Sequence, residues 1–150
     1  GGGGGGYTAE ETNTCSPSTT NLCITVSSSR KYVVQNSSSA GESQKTLTLN
    51  NGTYVFDQTA SSNSGHPLIF LTTGGAEYTT GVTTPGTPGT DGKTQIVITD
   101  STPGTLNYAC SIHEGMGGVI NILRAAVSEK VEFTETNEED VTQQSSLPNY

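Results

Sequence analysis

Two apolar runs, residues 105–110 and 119–123, flank a short loop that carries a thiol, an imidazole and a thioether. The text is Tyr108-Ala109-Cys110-Ser111-Ile112-His113-Glu114-Gly115-Met116-Gly117-Gly118. Cys110, His113 and Met116 fall within seven residues, so one tight turn between two strands aims all three side chains at a single point. These are soft and borderline donors, and two imidazoles plus a thiolate with a long axial Met is the set that suits copper cycling between its oxidation states. The second imidazole has to come from upstream. The chain has only two His, and the other is His66, in Asn63-Ser64-Gly65-His66-Pro67, ahead of an apolar run. Taken singly, His66 reads as a turn cap, His113 as a surface loop residue and Met116 as core filling. Taken together, a chain with two His and one Met has set one His and the Met beside its unpaired Cys. Zinc is the chemical rival, but thioether is a poor zinc ligand, so Met116 favours copper.

The spacing Cys110-x-x-His113-x-x-Met116, with His66 before an apolar strand, resembles the cupredoxins, and most closely the short ligand loop of the amicyanin type. The resemblance implies a Greek-key sandwich, the ligand set His66, Cys110, His113 and Met116, and His113 as the solvent-edge ligand through which an electron leaves. The stretch from Tyr54 through His66 and Glu77-Tyr78 to the ligand loop is also similar in flavour to cupredoxin-like domains of marine bacteriophage virion proteins.

Composition agrees with an all-β domain. Nineteen Gly, six Pro and abundant Ser, Thr and Asn punctuate short runs rich in Val, Ile, Tyr and Thr, while helical periodicity is nearly absent. With 30% hydrophobic residues and no Trp, the core is thin, and 150 residues make one domain. A net charge of −8 with six Lys and Arg excludes a nucleic-acid surface, which needs clustered cations. The opening Gly run lacks the Lys and Ser/Thr of a phosphate loop, and no apolar stretch is long enough to span a bilayer. The chain begins without Met and without a signal peptide, as expected of a processed product or a piece of something longer.

Three Cys divide into two kinds. Cys15 and Cys23 enclose seven residues and are well placed for a small disulfide loop, which implies an oxidising compartment. Cys110 is left over, and a bound metal protects a thiol in such a place. The alternative is a buried, inert Cys110 with two further unpaired thiols.

Strands are expected over residues 24–26, 31–35, 45–49, 53–57, 67–72, 93–99, 105–110 and 119–123, about eight in all. The alternating runs 45–49 and 53–57, joined at Asn50-Asn51-Gly52, read as the clearest hairpin. Residues 74–91, rich in Gly and Pro, read as a long irregular connection. The sequons at Asn36 and Asn51 are expected by chance in such text. The organisation is then a Gly-rich arm and polar segment over residues 1–22, a cupredoxin-like sandwich over 23–124 and an acidic extension over 125–150, whose residues 128–135 read as solvated tail or as one more edge strand.

Two functions follow as expectations. One is an extracytoplasmic carrier of single electrons that works with a redox protein partner. It is not an enzyme, since four ligands leave no open position. The other is a structural or decorating subunit of a virion or extracellular filament, packed against identical subunits, with copper structural or vestigial.

Overall fold

The structure, a computed structural model, describes residues 14–124. The arm before them, the acidic extension after them and the edge strand considered at 128–135 lie outside the described residues. Ten strands occur among the described residues. They are β1 (Asn21–Val26), β2 (Tyr32–Gln35), β3 (Glu42–Ser43), β4 (Leu47–Leu49), β5 (Gly52–Asp57), β6 (Leu68–Thr72), β7 (Val82–Thr83), β8 (Lys93–Ile98), β9 (Thr105–Cys110) and β10 (Gly118–Ile122). The two beyond the expected eight, β3 and β7, are two residues each, too short to leave a period in the sequence. β7 lies inside the stretch expected to be irregular throughout.

The strands form two mixed sheets that share one core. One has the order β3-β2-β1-β5-β8-β7, the other β4-β10-β9-β6. Alternation decides which side chains meet between them. In β9, Leu106, Tyr108 and Cys110 point inward and are buried, and in β8 the same holds for Thr94, Ile96 and Ile98. Aromatic rings bridge the sheets. Phe56 of β5 meets Phe70 of β6 edge to face at 5.2 Å, and Tyr32 of β2 stands 6.4 Å from Tyr108 of β9. Each such fully buried side chain contributes about 1.5–3 kcal/mol.

The expected hairpin over residues 45–57 is not one. β4 pairs in parallel with β10, whereas β5 pairs with β1 and β8 in the other sheet. A tight Asn-Gly hairpin turn needs positive φ at both central residues, and among the described non-glycine residues only Arg30 and Gln44 have it. Asn51 therefore does not turn the chain back. Instead the Tyr54 hydroxyl donates to the Asn50 carbonyl and accepts from its N–H, both at 3.1 Å, which braces a step from one sheet to the other. Both runs still bury alternate residues, each from its own side of the core.

The Cys15–Cys23 disulfide forms, with Cα atoms 5.8 Å apart, and ties the segment before β1 to the strand. Cys110 is the free cysteine among the described residues. No helix of the described residues is long and apolar enough to cross a membrane.

Candidate metal centre

The inward alternation of β9 ends on Cys110, which leaves its thiol at one edge of the core, 7% exposed. Antiparallel pairing sets Cys110 opposite Leu68, so the residue two before Leu68, His66, lies beside the thiol. The loop after β9 then returns His113 to the same place. Both imidazoles present Nδ1 to the Cys110 Sγ at 3.8 Å, and their ring centroids are 4.9 Å apart. One ligand atom from each of the three residues lies within 4.8 Å of the others. Met116 is 1% exposed and belongs to the same buried cluster as Cys110. The structure thus brings His66, Cys110 and His113 together, with Met116 buried at the end of their loop.

The backbone that carries His66 is held by side chains the sequence did not single out. Its carbonyl accepts from the Tyr32 hydroxyl and from the Gln58 amide, each at 2.7 Å. The Gln58 oxygen accepts from the Leu68 N–H at 3.0 Å, so one buried carboxamide grips the chain on both sides of Pro67. Its second N–H goes to the Asn63 oxygen at 2.9 Å, and the Asn63 amide donates in turn to the Ile24 carbonyl at 2.7 Å. The His66 N–H closes the group onto the Asn63 carbonyl. Asn63 belongs to a single turn of 3₁₀ helix, Ser61–Asn63, within the polar loop before His66.

The ligand loop is tied in a second way. The Ser111 N–H donates to the Pro67 carbonyl at 3.0 Å, joining the two ligand-bearing segments directly. Three successive carbonyls are then captured by residues from the region of β2 to β4. Gly115 accepts from Lys31 Nζ and Gln44 Nε2, Met116 from the Tyr32 N–H, and Gly117 from Gln44 Nε2. Gly117 cannot carry a side chain, because a Cβ there would strike the Tyr108 carbonyl. Gly115 has φ of 78°, where glycine is favoured. Gln44 has φ of 51°, which costs a non-glycine residue roughly 1–2 kcal/mol.

Charge at the site is modest. Burial lowers the pKa of His66 below the ordinary imidazole value, and His113 and Arg30 add to the effect. Burial first, and then the adjacent Cys110, raise the Tyr32 pKa, so its hydroxyl remains a donor throughout the physiological range. Glu114 is exposed. Ser111 and Ile112 are exposed too, and the side-chain contacts of the sulfur are with the two imidazoles. No protein-family model, curated protein or solved structure matches the chain.

Proposed function

We propose that the chain is a mononuclear copper protein of type 1 character, built on a sandwich that resembles the cupredoxins, and that it carries single electrons outside the cytoplasm. The observation that supports this best is the pair of equal 3.8 Å separations between Cys110 Sγ and the two Nδ1 atoms. With bonds of about 2.3 Å to sulfur and about 2.05 Å to nitrogen, the two donors stand about 3.8 Å apart at a trigonal angle and about 3.6 Å apart at a tetrahedral one. The spacing is one that a single ion between the thiol and both imidazoles would bridge. A thiolate, two imidazoles and a buried thioether are also the donors that copper accepts and zinc uses incompletely.

Copper would supply the one-electron redox change. The protein residues keep the donors in place while the charge changes. Tyr32, Gln58 and Asn63 hold the His66 backbone, and the tied loop holds His113 and Met116, so little rearrangement accompanies gain or loss of an electron. His113 is half-buried and flanked by exposed Ile112, which supports electron exit at that edge. The Cys15–Cys23 disulfide supports an oxidising compartment. The reading is of a carrier, not an enzyme, because His66, Cys110, His113 and Met116 together leave no position for substrate.

The test is optical. Metal-free protein given Cu²⁺ should turn intensely blue, and Cys110→Ser should fold with the same far-ultraviolet circular dichroism and stay colourless. A loaded wild-type protein without a strong thiolate-to-copper band rules the reading out.

A further inference from the structure

We propose that Gln44 is a positioning residue for Met116. It acts through a closed ring of hydrogen bonds around that residue. The Gln44 N–H donates to the Tyr32 carbonyl, and the Tyr32 N–H donates to the Met116 carbonyl, both at 2.8 Å. The Gln44 side chain completes the ring by donating to the carbonyls on either side of Met116, Gly115 at 3.0 Å and Gly117 at 2.8 Å. The three peptide groups that decide where the Met116 Cα points are therefore all referred to one external frame. Lys31 adds a second donor to the Gly115 carbonyl but reaches neither of the others.

The backbone of Gln44 is the reason to assign it this task. It is one of two described non-glycine residues with positive φ. It is exposed, so neither core packing nor burial demands glutamine there. Glycine would adopt that backbone without a Cβ penalty, and asparagine would tolerate it better, yet neither has an arm that spans to both carbonyls. What glutamine supplies beyond glycine and asparagine is reach with an uncharged donor at its end. Residues held in sparsely populated backbone regions gather at functional sites when the surroundings over-determine them, and here the surroundings are the loop that carries Met116.

The proposal rests on the copper reading for the consequence at the metal, but its structural part can be tested without metal. Met116 is the single methionine in the chain, so protein labelled with methyl-¹³C methionine gives one resonance that reports on it alone. Gln44→Gly removes both the arm and the backbone strain. Gln44→Glu keeps size and backbone but sets a carboxylate oxygen against two carbonyl oxygens. In metal-free protein both variants should shift the methyl resonance and narrow it toward that of a mobile side chain, while Gln44→Gly melts no lower than wild type. In copper-loaded protein both should surrender copper to a chelator about 10- to 100-fold more readily, and should redistribute intensity among the visible bands. A methyl resonance unmoved in both variants overturns the proposal. So does a lower melting temperature for Gln44→Gly with an unmoved resonance, which would make Gln44 a purely structural residue. A resonance that responds in a protein that never turns blue upholds the link from Gln44 to Met116 and overturns the copper reading instead.

Discussion

Gln58 is 1% exposed, and both ends of its carboxamide are engaged with the segment around His66. Leucine at this position is similar in size but leaves the Asn63 oxygen and the Leu68 N–H without that partner inside the protein. Each orphaned buried group costs about 1–3 kcal/mol, so Gln58→Leu should lower the unfolding free energy by about 3 kcal/mol in urea titrations. Ile112→Ala, beside a ligand but 63% exposed, should change it by less than about 0.5 kcal/mol in the same assay. A far smaller loss for Gln58→Leu would mean that the amide is not the brace described. The contrast shows what single residues disclose before folding. Cys110, His113 and Met116 were legible because their chemistry is rare in this chain and their spacing is local. Gln58 and Asn63 were not, because a polar residue in a stretch rich in Ser, Thr and Asn reads as solvated loop until strands from both sheets close over it.

Among the elements, β9 and β10 with their loop behave as the sequence implied, and β4 with β5 does not. Alternation announces that a strand has one buried face but is silent about which sheet supplies its neighbours. Leu47 and Leu49 of β4, like Tyr54 and Phe56 of β5, satisfy the same pattern from opposite sides of the core. The dipeptide Asn-Gly does not compel the positive φ at Asn51 that a tight hairpin turn needs, and without it the chain steps between sheets. The loop after β9 is stricter. Gly117→Ala would push a Cβ into the Tyr108 carbonyl, a backbone atom of the paired strand that cannot swing aside. It should cost more than about 2 kcal/mol and displace the ligand loop. Metal-free amide spectra should therefore change from Tyr108 to Gly118, and a variant that melts like wild type would contradict the close approach.

At the scale of the whole molecule, copper held as proposed by donors gathered in the folded state alone would couple binding to stability. Free ion at a hundred times its dissociation constant adds about 2.7 kcal/mol, which raises the melting temperature by roughly 5–10 °C for a domain of this length. The direction with pH follows from His66. Its folded pKa lies below the unfolded value of about 6.5, so as acid is added the unfolded chain takes up the proton first. The contribution of His66 to the metal-free fold is therefore fully present above that value and is lost as pH falls from about 6.5 through the folded value. On the proposed reading copper would add to the slope, since it needs both imidazoles neutral and the thiol ionised. The gap in melting temperature between loaded and metal-free protein should be widest at neutral pH and shrink by pH 5. A gap independent of pH would show that the imidazoles do not bind the ion.

The capture of three successive carbonyls around Met116 also bears on how far the ligand loop can vary. Its length is dictated from outside, because adding or removing a residue between His113 and Gly117 would carry those carbonyls past Lys31, Tyr32 and Gln44. A loop of another length transplanted between β9 and β10 would keep its metal donors and lose its moorings. Changing the loop in this protein therefore means redesigning residues 31–44 at the same time.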